Sequence, residues 1–155
     1  MASADRVPFI IIGENVHATR SFARQGKNIV TVDGAEAVSF KDAQGADRIC
    51  PISEPVAASA EFAKNKVKHI RNALLLAMGG EQALDAKLTG AVSEEAAQAG
   101  RDYLIAAALR QQRNGAHYLD VNVDEISPDE GVRIAAMEWL VKLLEPACDV
   151  PLSLD

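Results

Sequence analysis

Val150–Pro151–Leu152–Ser153–Leu154–Asp155 reads as a short buried β-strand that closes on a carboxylate, and Tyr118–Leu119–Asp120–Val121–Asn122–Val123 has the same design. Between them lies one amphipathic helix. Ser127–Pro128–Asp129–Glu130 marks its start, with a capping serine, proline at the first helical position and glutamate three residues after the cap. Its inward face is expected to carry Ile134, Met137, Leu140, Val141 and Leu144, and its end lies near Pro146. Strand, helix, strand is a β-α-β unit, the building block of parallel sheets and of (β/α) barrels. The fold class is therefore α/β. In such sheets the chemistry gathers at the C-terminal ends of the strands. Asp155 falls where an active site would begin, so the chain reads as the front part of a larger catalytic domain.

Working back from that unit, a long helix begins after Ser93, with Glu94 and Glu95 in its first turn, and stops at Asn114–Gly115. Ala96, Gly100, Tyr103, Leu104, Ala107 and Ala108 recur along it at helical spacing. The first core element is Phe9–Ile10–Ile11–Ile12, four apolar residues that suit a strand buried on both faces, ending at Gly13. Gly13–Glu14–Asn15–Val16–His17 is expected to be the loop at its C-terminal end. Between these parts, Asn28–Val32 and Ala37–Phe40 are placed to pair across the turn Asp33–Gly34. Ser53–Glu54–Pro55 opens a helix predicted to run to about Met78 and stop at Gly79–Gly80. Its Lys64, Lys66, Lys68 and Arg71 read as a solvated face. Residues 18 to 92 are thus an insertion, or an extended first loop and helix.

Composition narrows the function. Apolar residues make up 48% and charged residues 25% of the 155 positions, as in ordinary soluble domains. The length suits one domain but falls short of the about 250 residues of a complete (β/α)8 barrel. A net charge of −6 argues against a nucleic-acid surface. No apolar run approaches the roughly 20 residues of a membrane span. Met1–Ala2–Ser3–Ala4–Asp5–Arg6 lacks the basic-then-apolar design of a signal peptide. Cys50 and Cys148 make no disulfide framework and read as small buried apolar residues, so the expected setting is a reduced cytoplasm. Trp139 reads as core.

Three strand ends present polar groups: Glu14 and Asn15, then Asp120 and Asn122, then Asp155. Carboxylates and amides that converge in this way can bind a heterocycle through its N–H and ring-nitrogen edges. His17, His69 and His117 are far apart in sequence without ligand-type neighbours, and no metal site is expected. His17 alone among them falls at a predicted strand end, where it is a candidate to line the pocket.

Four segments resemble one family. Asn114–Gly115–Ala116–His117–Tyr118–Leu119–Asp120–Val121–Asn122–Val123 is similar to the "G-A-x-x-L-D-x-N" segment of the pterin-binding methyltransferases. These are the methyltetrahydrofolate:corrinoid methyltransferases and the folate-binding domain of cobalamin-dependent methionine synthase. Ala136–Met137–Glu138–Trp139–Leu140–Val141 resembles their "A-M-E-W-L-V" helix, Val150–Asp155 the strand that closes with "L-D-S", and Ile11–Val16 their opening "I-I-G-E-R-I-N". His17 stands at the spacing of that motif's asparagine, with Asn15 two residues earlier.

The resemblance implies the N-terminal portion of a dihydropteroate synthase-like TIM-type (β/α)8 barrel, with an inserted segment after the first strand. The barrel would bind a reduced pterin in its mouth. It implies that Asp155 binds the pterin ring, that Asp120 and Asn122 line the same pocket, and that Glu14 and Asn15 stand at the first strand end. The substrate implied is tetrahydrofolate or methyltetrahydrofolate. The partners implied are a corrinoid (cobalamin) protein and the rest of the barrel, with room for a homodimer. Residues 1–155 on their own are expected to be inactive. The sister enzyme, dihydropteroate synthase, is the alternative, since Asn15–Val16–His17–Ala18–Thr19–Arg20–Ser21–Phe22 partly echoes its "N-V-T-P-D-S-F". The segment Asn122–Val123–Asp124–Glu125–Ile126–Ser127 lacks the paired glycines of its "G-G-E-S-T". Further alternatives are a demethylase that passes methyl groups from another donor to tetrahydrofolate, and a non-catalytic fragment that needs a partner chain.

Overall fold

The computed structural model describes residues 9–155; the stretch Met1–Arg6, read above for a signal design, lies outside them. The chain is a mixed α/β fold whose central element is a parallel sheet. Three strands form it, β1 (Ile12–His17), β7 (Tyr118–Asn122) and β8 (Leu152–Leu154), in the order β1-β7-β8. Gly13 aligns with Leu119 and Leu119 with Leu152; Val16 aligns with Val121 and Val121 with Leu154. Leu119, Val121 and Val16 are buried on one side of the sheet. The other side carries His17, Asp120 and Asn122.

The first strand departs from expectation. It starts at Ile12 and continues through Glu14, Asn15, Val16 and His17, residues read above as a loop. Phe9 is 83% exposed and Ile10, Ile11 and Ile12 are exposed as well. The apolar run was read as a strand covered on both faces, but among the described residues the helices meet this sheet through Val16, Leu119 and Val121, on one face. Pairing with β7, from Ile12 opposite Tyr118 to His17 opposite Asn122, draws the polar residues into the strand. A register shift between Gly13 and Val16 inserts one extra residue in β1, a bulge that re-aims the side chains beside it.

Between β1 and β7 lie β2 (Phe22–Ala23), β3 (Ile29–Val32), β4 (Ala35–Lys41), β5 (Asp47–Pro51), α1 (Glu54–Ala57), α2 (Ala60–Ala63), β6 (Lys66–Val67), α3 (His69–Gly80), α4 (Ala86–Thr89) and α5 (Glu94–Arg113). The hairpin β3–β4 forms as expected, with Asp33 at φ 51° and Gly34 at φ 80° in its two-residue turn. β5 adds a third antiparallel strand, and β2 pairs antiparallel with β6. The single helix expected from Ser53 to Met78 is instead α1, α2, β6 and α3. Ser59 accepts a hydrogen bond from the Phe62 amide and starts a new helix, and Asn65 at φ 66° breaks the chain again. Gly79 and Gly80 close α3 from within rather than follow it.

Helix α5 matches its predicted bounds: the Ser93 hydroxyl accepts from the Ala96 amide, and Gly115 at φ 94° ends the run. Helices α3 and α5 pack tightly against each other at Gly100, where an added Cβ would lie 2.6 Å from the Ala73 carbonyl oxygen. The last helix, α6 (Glu130–Leu144), is capped by Asp129 rather than Ser127. The Asp129 carboxylate accepts from the Val132 amide, while the Ser127 hydroxyl accepts from the Asp129 amide one step earlier. Ala136, Leu140 and Leu144 are its buried residues; Ile134, expected inward, is 54% exposed. With Met137, Val141 and Leu154 it lines an open groove.

One core runs through the molecule. Val16, Leu119 and Val121 of the sheet meet Ile70, Leu74 and Met78 of α3, Leu104 of α5 and Leu140 and Leu144 of α6. Val38, Phe40 and Cys50 of the antiparallel strands join it, so residues 18 to 92 share a core with the parallel sheet. Cys50 is buried and Cys148 half-buried, and both thiols are free. Trp139 is half-buried against the core and donates its indole N–H to Glu81 at 2.6 Å. Among the described residues no helix is long and apolar enough to cross a membrane.

Candidate functional site

The three parallel strands end side by side, and their ends carry the polar cluster. His17 closes β1, Asp120 and Asn122 lie on β7, and Asp155 follows β8. The alternation that buries Leu119 and Val121 turns Asp120 and Asn122 to the opposite face. Pairing then sets His17 opposite Asn122 and Asp120 opposite Ser153. The Asp155 amide donates to the Val121 carbonyl at 3.0 Å, which fixes that residue beside Asn122.

Inside the cluster, His17 Nε2 lies 3.0 Å from Asp120 Oδ2, with both side chains largely buried. Asn122 is 4% exposed, and its amide donates to Asp155 at 3.3 Å and to Asp124 at 3.1 Å. The Asp124 amide donates in turn to the Asn122 side-chain oxygen at 3.0 Å. Asn122 is therefore a fully engaged wedge that holds two carboxylates apart and in place. One ligand-type atom each from His17, Asp120 and Asp155 falls within 4.8 Å of the others. Read along the chain, these residues showed no such cluster; the strand register makes His17 and the two aspartates neighbours. That corrects the reading of the histidines as lacking ligand-type neighbours.

Glu14 and Asn15 are placed elsewhere. The Glu14 carbonyl accepts from Arg20 Nε at 3.1 Å, and its exposed carboxylate lies 3.9 Å from the same guanidinium. Asn15, at the bulge, lines a cavity of about 150 Å³ together with Arg20, Phe22, His69, Tyr103 and Arg110. Phe22 stacks on the His69 ring at 3.8 Å, and Tyr103 Oη lies 2.8 Å from His69 Nδ1. Burial, reinforced by Arg20 and Arg110, pushes His69 down to about 4, so it is neutral at pH 7. Burial pushes the Cys50 thiol up to about 12, far from the range of a nucleophile.

Two basic residues read as solvated have structural partners. Lys68 donates to the Thr19 carbonyl at 2.8 Å and pairs with Glu125, and Arg71 donates to the Glu125 carbonyl at 2.9 Å. They tie down the turn at Asp124–Ile126 that carries Asp124 beside the cluster. Asp124 is the site residue that the sequence reading missed. Its signal was the Asn-x-Asp spacing after β7, which lets Asn122 accept from the Asp124 backbone. Comparison with protein-family models, with curated proteins and with solved structures finds no match.

Proposed function

We propose that this chain carries part of the pterin site of a methyltransferase that moves a methyl group between a tetrahydrofolate and a corrinoid protein, within a TIM-type (β/α)8 barrel. The observation that carries the reading is the convergence of Asp120, Asn122 and Asp155 on one face at the C-terminal ends of three parallel strands. Among the described residues the helices meet the sheet through Val16, Leu119 and Val121, on the opposite face. Parallel sheets are ordinarily covered on both faces, and a barrel interior is the setting in which one face carries no helices.

The donor set fits a pterin. The ring offers an N–H and an amino group side by side, a match for the two oxygens of one carboxylate. Asp155 is exposed and spends one oxygen on Asn122, so it retains acceptor capacity toward the mouth. Asp155 would anchor and orient the ring without donating a proton. The leaving nitrogen of methyltetrahydrofolate is a tertiary amine and needs protonation or hydrogen bonding before it departs. The work of the site is then orientation and electrostatic help at that nitrogen. The corrinoid, on its partner protein, supplies the methyl acceptor.

Titration of the intact barrel domain with methyltetrahydrofolate tests this. Asp155→Ala should weaken binding by about 1.5–3 kcal/mol, the size of a hydrogen bond to a charged group. Asp120→Asn should cost less, because Asp120 is already engaged by His17. Equal affinities for wild type and Asp155→Ala would reject the role. Formation of dihydropteroate from a pterin pyrophosphate and p-aminobenzoate would move the assignment to the synthase.

A further inference from the structure

We propose that His17, Asp120 and Asp155 form a binding site for a first-row divalent transition metal. His17 lies on β1, Asp120 on β7 and Asp155 directly after β8, and their ligand-type atoms already lie within 4.8 Å of one another. Ligand atoms around such an ion sit about 2.0–2.2 Å from it. Small side-chain rotations would therefore bring these three atoms onto a common centre. His17 Nε2 and Asp120 Oδ2, 3.0 Å apart, already stand at the spacing of two ligands on one ion.

The charge balance points the same way. Among the described residues, Asp120, Asp124 and Asp155 gather with no arginine or lysine within ion-pair distance, and the imidazole of His17, beside Asp120, is the one basic group that reaches them. Two or three carboxylates gathered at one strand end repel each other, and a dication would relieve that repulsion. Asn122 already plays the part of an outer partner: its amide fixes both Asp155 and Asp124. One imidazole with two carboxylates suits zinc, manganese or iron better than magnesium or calcium, which prefer all-oxygen sites. Three protein ligands would leave a position open toward the mouth.

The proposal does not depend on the pterin reading, because metal binding is measured with no folate present. The chelator-stripped 155-residue chain is titrated with Zn²⁺, Mn²⁺ and Mg²⁺ by calorimetry at pH 7.5. Zn²⁺ or Mn²⁺ should bind one equivalent, at least tenfold more tightly than Mg²⁺. His17→Gln and Asp155→Asn should each weaken it tenfold or more. His117→Gln, away from the cluster, should retain the affinity. Asp155 is exposed and outside the core, so its variant keeps the test valid if His17→Gln fails to fold. No binding, or binding that survives Asp155→Asn unchanged, would overturn the site.

Discussion

His69 shows how a single residue couples to the stability of the whole fold. It is 8% exposed, stacked on Phe22 and bonded to Tyr103, and is held neutral with a value near 4 by burial and by Arg20 and Arg110. Its unfolded value is about 6.5, so the unfolded chain takes up a proton first as pH falls. The stabilisation is complete above about pH 6.5 and is lost progressively toward pH 4, by at most roughly 3 kcal/mol. Urea unfolding of wild type at pH 7.5 and 4.5 should show this loss, and His69→Gln should show a much smaller one. An equal pH dependence in both would remove His69 as its cause. Cysteine labelling offers a second test at this scale. Cys50 is 1% exposed and its thiol is pushed up to about 12, whereas Cys148 is half-buried. At pH 8 a thiol reagent should modify Cys148 first and reach Cys50 only at the rate of unfolding; simultaneous labelling would contradict the packing around Cys50. At this same scale the sequence was legible where identity alone sets the role. Asp120, Asn122 and Asp155 could be singled out as strand-end polar residues. His17 could be named beside them as a candidate to line the pocket, but neither its contact with Asp120 nor the part of Asp124 could be read, because these arise from strand register and a short turn, neither of which is written in residue type.

Elements were legible where a local signal had no competitor. Helix α5 begins at Ser93 and ends at Gly115 because a cap and a left-handed glycine act within one turn of each end. The run from Ser53 to Met78 had the composition of one helix, yet Ser59 and Asn65 break it. Those breaks gain support from the pairing of Lys66–Val67 with Phe22–Ala23, a contact some 44 residues away in the chain that no local window contains. The start of α6 was read one signal too early, since Ser127 and Asp129 are both good caps. The structure gives the cap to Asp129, so Asp129→Ala should cost about 1 kcal/mol in thermal or urea unfolding and Ser127→Ala clearly less. The reverse order would return the cap to Ser127. Between α3 and α5 the contact is closer still. A Cβ on Gly100 would meet the Ala73 carbonyl oxygen at 2.6 Å and the Ala77 amide nitrogen at 3.0 Å, both rigid backbone atoms. Gly100→Val should force the helices apart and destabilise the protein by about 1–3 kcal/mol. A neutral result by denaturation would mean that the two helices are not held at this spacing.

Across the whole molecule, the parallel sheet leaves two strand edges unpaired among the described residues. β1 and β8 each pair with β7 alone, so among the described residues neither has a partner strand on its outer edge. Near β1, Phe9, Ile10, Ile11 and Ile12 are exposed; near β8, Leu154 at 59% meets Ile134 at 54% along the α6 groove. Open parallel edges flanked by apolar side chains are the usual template for association between chains. The net charge of −6 opposes that association weakly, and salt screens it. The chain should therefore self-associate as its concentration rises, more strongly at high salt. Sedimentation velocity over a range of concentrations would read this directly. Ile134→Lys and Leu154→Lys place a charge at exposed positions outside the core, so they should leave the fold intact and reduce association together more than either alone. If wild type remained monomeric at high concentration and high salt, the exposed edges would be too short or too twisted to template pairing. If it associated but the two lysine variants had no effect, the contact would lie on the β1 side, along Phe9–Ile12, rather than on the groove beside β8.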